Sequence, residues 1–546
     1  MKTIKTFLTT TFMFMFTINI NAQIFEMVKD INPNGHSYPS SFTKYNGKLY
    51  FRAADTSVAG SDYFEPWVTD GTTAGTQMLK AINPNKGSGL LDPVFTEYNG
   101  KLYFAANDGT NGYELWLTDG TTAGTQMLKD INPNGSGNPL YPTEYNGKLY
   151  FGANDGLNGQ ELWATDGTNA GTTMLKDINP NGTSNPRYFT KYNGNLYFYA
   201  NDTINNTELW ITDGTGVGTQ MLKDINPNGS SHDDTHPNFT EYNGKLYFAA
   251  NNGINGRELW VTDGTTAGTI MLKDIHPNGN GNPYGFTEYN GSLYFNANNG
   301  TNGRELWVTD GTTAGTTMLK DINPNGQGDP QYFTEYNGKL YFYSDDGING
   351  RELWITDGTS AGTQMLKNIN PNGTSNYFLN PAFTEYNGKL YFFASDTSVG
   401  CCQNLDYQLW ETDGTDAGTI KKQPTIAPNF NPLGNSSSFT EFNGSLYFQA
   451  YYNSNGRELW KFSAPNVSVA EVMKRGVKMY PNPVNHLLYI ETEQEITEIK
   501  LYTLTGQEVQ TWQNQDNIDL SRYAKGVYFV KIQTLNGTET KKIIKE

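Results

Sequence analysis

Nine tryptophans stand in equivalent positions along this chain, Trp67, Trp116, Trp163, Trp210, Trp260, Trp307, Trp354, Trp410 and Trp460, at intervals of 47 to 56 residues. A period of this size means stacked supersecondary units, each with an apolar face that it cannot bury alone. One unit, Phe239 to Gly279, reads FTEYNGKLYFAANNGINGRELWVTDGTTAGTIMLKDIHPNG. It predicts four short β segments, FTEY, KLYFAA, RELWVT and TIMLKDI, separated by the turn signals NG, NNGING and DGTTAG. Asn243-Gly244 suits a two-residue type I′ hairpin, because both residues tolerate the positive φ angles that such a turn demands.

KLYF and ELWV are apolar at neighbouring positions rather than alternating, which fits a sheet covered on both faces. Four-stranded meanders at this period, with Tyr, Phe and Trp to fill the gaps between twisted sheets, predict a β-propeller. The ninth unit runs from ELW at Glu458 into KFSAP and lacks the usual last strand; that strand stands alone near the N-terminus as IFEMVKDINPNG, Ile24 to Gly35. The expected fold is therefore all-β, with nine four-stranded blades closed by the N-terminal strand over residues 24–463. An open superhelix or a split array is the alternative.

The first 22 residues place Lys2 and Lys5 ahead of an apolar, threonine-rich run and small residues near Ala22. This reads as a cleavable secretory signal peptide, too short in its apolar run for the ~20 residues of a spanning helix. No later segment is apolar enough to span, so no transmembrane segment is expected in the mature chain. A net charge of −17 with scattered lysines argues against nucleic acid, which needs a concentrated basic footprint. The only cysteines, Cys401 and Cys402, are adjacent, so no disulfide framework holds the fold.

A residue present in every unit is explained by what every unit needs. In DGTTAGT, Asp263 can accept backbone hydrogen bonds, Gly264 and Gly268 permit unusual dihedrals, and the threonine hydroxyls can close the hairpin. The repeated tryptophans, set in the third strand between apolar neighbours, read as packing between units rather than as sugar platforms. The loops are rich in Asp and Asn but lack calcium-loop spacing, and no phosphate-binding glycine loop opens a helix. No cofactor is required on this reading, and calcium is the ion to test.

Recognition is better sought where the repeat breaks. His232, Asp233, Asp234 and His236 fall within an enlarged link and form the one candidate metal cluster. Two enlarged second-to-third-strand loops, Ala54 to Trp67 and Ser395 to Trp410, bring Tyr63, Phe64, Cys401, Cys402 and Tyr407 forward as candidate recognition residues, or as cover for the seam. No glycosidase carboxylate pair, nucleophile elbow or Ser/Cys–His pairing is singled out, so enzyme activity stays undecided and a non-catalytic role is preferred.

After a linker at 464–475, residues 476–546 follow a different pattern that predicts a small antiparallel β-sandwich. The motifs YPNPVNHLLYI, LYTLTGQEV and IDLSRYAKGVYFVKI, with Pro481, Asn482, Pro483, Gly506 and Gly526 in them, closely resemble the type A C-terminal sorting domain of the type IX secretion system in Bacteroidetes. The resemblance implies export, recognition of this tail by the type IX machinery, and a fate secreted or attached to the outer cell surface. The repeats resemble ELWxTDGTxxGT (hyalin-like) repeat proteins, with departures EPWVTDGT at Glu65 and QLWETDGT at Gln408. The resemblance implies an exported multi-blade propeller and fixes no ligand or activity; the expected role is a monomeric binding or adhesion propeller that recognises a polysaccharide or surface protein through its rim loops. The alternatives are a secreted carbohydrate-active enzyme or a structural surface component.

Overall fold

The computed structural model describes residues 24–55, 64–90, 95–232, 238–377, 380–397, 407–422, 430–431, 438–452, 455–464, 478–492, 495–504, 507–534 and 537–546. The expected signal peptide and residues 465–475 of the expected linker lie outside them, as do 476 and 477 at the start of the expected tail. Two compact units divide the chain, a repeat region spanning Gln23–Ala464 and a tail module after it.

The fifth repeat unit shows how the sequence builds each sheet. Thr240–Tyr242, Lys245–Asn251, Arg257–Thr262 and Ile270–Lys273 pair in chain order as an antiparallel meander. Asn243 and Gly244 have φ of 48° and 65°, the type I′ geometry that their side chains allow. In the central pair Phe248 faces Trp260, which in turn faces Met271 on the last strand.

Alternation along each strand then sends residues to opposite neighbours. Leu246, Phe248, Ala250 and Trp260 pack against unit four, while Tyr247, Leu259 and Val261 pack against unit six. Both faces of the sheet are thus covered, which is why the strands carry unbroken apolar runs. All nine repeated tryptophans are 5–7% exposed.

Hydrogen bonds register each unit on the next. The Tyr242 hydroxyl donates to the Gly291 carbonyl at 2.9 Å, and the Tyr145 and Tyr192 hydroxyls reach Gly194 and Gly244 in the same way. On the outer strand, the Lys223 ammonium donates to the Thr269 carbonyl at 2.7 Å, and the Thr266 hydroxyl returns a bond to the Leu222 carbonyl at 2.8 Å. The last unit carries Phe442 at the tyrosine position and cannot make the first of these bonds. A Lys44–Glu441 ion pair at 2.8 Å stands nearby instead.

The strand Ile24–Lys29 pairs with Arg457–Ser463 in the last sheet, and the first and last units share a cluster that includes Val28, Leu49, Phe51, Trp67, Tyr447 and Leu459. The expectation of a closed nine-bladed β-propeller is nevertheless corrected. Among the described residues of the repeat region the ladders give eight separate four-stranded open sheets and one of five strands, and none is closed into a barrel or propeller. Ladder pairing stays inside each unit, and neighbouring sheets are joined by side-chain packing and by the link, where Ser231 donates to the Thr207 carbonyl at 3.0 Å and accepts from the Asn251 N–H at 2.9 Å. The fifth strand, Phe430–Asn431, comes from the longer segment ahead of the last unit and pairs with Ser445–Tyr452 beside Thr440–Phe442.

The tail module has a three-stranded sheet, Lys478–Tyr480, Leu487–Glu491 and Asn517–Asp519, and a four-stranded sheet built on Ile496–Thr503 and Gly526–Thr534. Leu488, Ile490, Ile499, Leu501, Val530 and Ile532 form its buried core. Asn482 sits between two exposed prolines, Pro481 and Pro483, both preceded by cis peptide bonds. Its carboxamide oxygen accepts from the Ile544 N–H at 2.9 Å and its amide donates to the Lys542 carbonyl at 3.2 Å. Gly526 opens the long central strand, and Gly506 lies outside the described residues.

Candidate functional site

Each sheet has two ends of different character. At the turn end lie the NG hairpin and the DGTTAGT loop; at the link end lie the loop between strands two and three and the connection to the next unit.

The turn end is chemically closed. Asp263 accepts from the Thr265 N–H at 2.9 Å and its hydroxyl at 2.7 Å, and Thr265 in turn accepts from the Gly268 N–H at 2.9 Å. The Thr262 and Thr269 hydroxyls meet at 2.7 Å. Bonds from the Thr265 side chain and backbone hold the Asp263 carboxyl below its ordinary range. A Cβ on Gly268 would stand 2.0 Å from an Asp263 oxygen, and one on Gly264, at φ 96°, would meet the Tyr197 hydroxyl of the preceding unit at 2.8 Å. The motif is therefore a self-bonded turn into which the preceding unit's packing is built.

Between the ends sits the glutamate of ELW. Glu258 is fully buried, and its two oxygens accept from the Ile275 N–H at 2.7 Å and the Gly281 N–H at 2.7 Å. It clamps the chain that leads to the next unit. Burial pushes its carboxyl up to about 7 despite those bonds, and the same holds for Glu114, Glu208, Glu305, Glu352 and Glu458. Glu458 uses the clamp to hold Ile31 and Ser37, residues more than 400 positions away.

Unit eight departs in a correlated way. Gln408 replaces the clamp, and the segment to be clamped, KDINPNG elsewhere, is KKQPTIAP here. Glu411 replaces the apolar residue after tryptophan and is fully buried. It pairs with Lys389 and, at 2.8 Å, with Lys422. Burial opposes its ionisation, yet the two ammonium groups hold its carboxyl below the ordinary range. Tyr391 stands directly across the strand pair. In other units the equivalent tyrosine packs on the DGT glycine of the next unit, which unit nine lacks.

The link end carries a recurring set of exposed tyrosines; at the turn end the most exposed large apolar side chain is a single residue, Val217 of unit four. Tyr38, Tyr141, Tyr284 and Tyr451 are 37–40% exposed. The first cluster joins the first and last units: the His36 ring is 5.3 Å from Tyr38 and 6.0 Å from Tyr451, and the Arg457 guanidinium lies 5.5 Å from the Tyr38 ring. Burial, with Arg457 adding to it, lowers the His36 imidazole. A second run crosses units three to five, from Tyr141 to Tyr188 at 6.1 Å and on to His232 at 5.2 Å, with Arg187 5.8 Å over Tyr188. Tyr141 and Tyr188 hold φ of 58° and 60° in a bulge of the first strand, an unusual backbone for a bulky side chain. An open cleft of about 370 Å³ adds Tyr332, Phe333, Phe383 and Phe439 across units seven to nine.

The residues singled out from the sequence are distributed as follows. His232 is buried and stacks on Tyr199 at 4.4 Å, while Asp233, Asp234 and His236 lie outside the described residues. Among the described residues no group of three or more His, Cys, Asp or Glu is placed to hold a metal ion. Tyr63, Cys401 and Cys402 also lie outside them. Phe64 packs under the Arg52 guanidinium at 4.8 Å. Tyr407 is buried, its hydroxyl accepting from the Tyr377 N–H at 2.9 Å, so it is part of the scaffold rather than a surface contact. His36, Tyr38, Tyr141 and Tyr451 were not singled out, because the repeat pattern gives their positions no distinctive signal.

Residues 478–546 match the model of the secretion system C-terminal sorting domain. The chain therefore carries a type IX sorting tail, which marks it for export to the cell surface or beyond. No curated protein matches the chain. Among solved structures, puromycin hydrolase shares 12% identity at a TM-score of 0.34 over 70% of this chain, which spans 63% of the hydrolase's length. The extracellular domain of a putative hybrid two-component system from B. thetaiotaomicron shares 12% identity at a TM-score of 0.31, covering 96% of this chain and 74% of that one. A second such domain gives 12% identity at a TM-score of 0.25, covering 94% of this chain and 98% of that one. Likenesses this distant carry no argument about function. Among the described residues no helix is long and apolar enough to cross a membrane.

Proposed function

We propose that this exported chain is a non-catalytic adhesion protein whose link end binds a polysaccharide. The observation that carries the reading is the exposed aromatic and cationic cluster of His36, Tyr38, Tyr451 and Arg457. Sugar rings present C–H faces that stack on tyrosine, and their hydroxyls accept from guanidinium and imidazole donors. A rigid scaffold with such side chains at one end supplies both contacts at low ordering cost. The second aromatic run, through Tyr141 and Tyr188, would extend the contact along a chain of sugars.

The repeated glutamates support a non-catalytic reading. Each is engaged by backbone N–H groups of its own unit, as Glu258 is, and serves as a clamp. A glycan array followed by affinity electrophoresis tests the proposal. Binding should weaken at least about tenfold in a Tyr38→Ala/Tyr451→Ala variant, with the melting temperature little changed, since neither side chain belongs to the buried cluster that joins the first and last units. Equal binding by that variant, or hydrolysis of the bound glycan, would remove this assignment.

A further inference from the structure

The loops between strands two and three carry a feature that the tyrosine clusters do not explain. Leu157, Ile204, Ile254 and Ile348 occupy the same loop position in units three, four, five and seven and are 85–88% exposed. A single bare aliphatic side chain is ordinary, but here the same exposure recurs at one loop position in four units, at the same end of the sheets.

The loops that present them are rigid. Asp155 accepts from the Leu157 N–H at 2.9 Å and the Asn158 N–H at 2.8 Å, and the Asn158 amide returns to its other oxygen at 2.7 Å. Asp202 holds Ile204 and Asp346 holds Ile348 in the same way, at 3.0 Å and 2.9 Å, and Asn252 does so for Ile254 at 3.0 Å. Units two and six build the same turn around Thr110 and Thr301. The loop therefore does not need an aliphatic residue in order to fold.

We infer that these four tips form an insertion surface for a zwitterionic lipid layer. A protein partner draws most of its affinity from anchors clustered at the centre of an interface, whereas these side chains stand one to a loop among Asn, Asp and Gly. A lipid layer accepts separate side chains one by one, each burying its full aliphatic surface among acyl chains. The net charge of −17, with Asp155, Asp202 and Asp346 at the bases of three tips, disfavours anionic headgroups and so selects a zwitterionic layer. This inference stands independently of polysaccharide binding.

Co-sedimentation of the full exported protein with phosphatidylcholine vesicles tests it, alongside vesicles doped with phosphatidylglycerol. The wild-type protein should bind the former, and bind the latter less well at low salt. A Leu157→Thr/Ile204→Thr/Ile254→Thr/Ile348→Thr variant, which adopts the residue of units two and six, should lose about tenfold or more of that binding at an unchanged melting temperature. Wild-type protein remaining in the supernatant, or equal binding by the variant, would overturn the inference. So would a dimer seen by light scattering that the variant abolishes without vesicle binding, since the tips would then serve a second copy.

Discussion

The turn end and the link end are built from the same repeat yet obey different rules. At the turn end the polar groups of the DGT motif bond to one another, as the Asp263, Thr265 and Thr269 network shows. At the link end the same scaffold leaves Tyr38 and Ile254 exposed. Repetition of a residue therefore signals assembly, and its chemistry is consumed by that assembly. Side chains left without a packing duty are the ones available to a ligand.

Three substitutions or conditions probe that contrast. Trp260→Ala should be the most damaging, costing about 3–5 kcal/mol through lost burial and the cavity between units four and five, measured by chemical denaturation. A loss below about 1 kcal/mol would mean that the interface is not what holds the units together. Next, Glu258→Ala should cost about 1–3 kcal/mol for each of the two buried N–H groups it strands, at Ile275 and Gly281. Smallest is Tyr242→Phe, which removes one bond to the Gly291 carbonyl and reproduces the arrangement that Phe442 already has; about 1 kcal/mol is expected.

The clamps also predict a pH dependence. Six of them have carboxyls raised to about 7 from an ordinary 4.5, so between those values the folded chain binds more protons than the unfolded one. Stability should then be fully present below about 4.5 as far as these groups are concerned, and should fall as pH rises through about 7. Melting temperatures across that window check it, and Glu258→Gln should flatten the slope. A rise in stability over the same range would show that the N–H donors favour the charged form more than burial disfavours it.

Much of the unit was legible in advance. NG and DG mark turns because few residues accept positive φ, and KLYF and ELWV mark strands covered on both faces because both alternating sets are apolar. The N-terminal strand's place in the last sheet was legible from what unit nine lacks. Closure into a propeller did not follow from those signals, because periodicity reports pairing within a unit and not how the units are arranged. Tyr407 shows the same limit at a single residue: an aromatic in an enlarged loop looks like a contact, but its burial depends on Tyr377, thirty positions away. Leu157, Ile204, Ile254 and Ile348 differ from Thr110 and Thr301 in plain view, yet only coordinates distinguish a packed aliphatic from a bare one.

By itself, the sequence determined the repeated meander, its turns, and the export tail with its own core. These are set by local periodicity and by motifs whose backbone demands are met within a few residues. The tertiary structure decided which neighbour each alternate side chain faces, that the ELW glutamates are clamps, and that the four aliphatic loop tips and the partly exposed tyrosines lie at the link end. Those outcomes depend on contacts 17 and 23 positions apart for the Glu258 clamp, roughly one repeat apart for the packing between units and, for Glu458 and Ser37, 421 positions apart, and no local pattern records them.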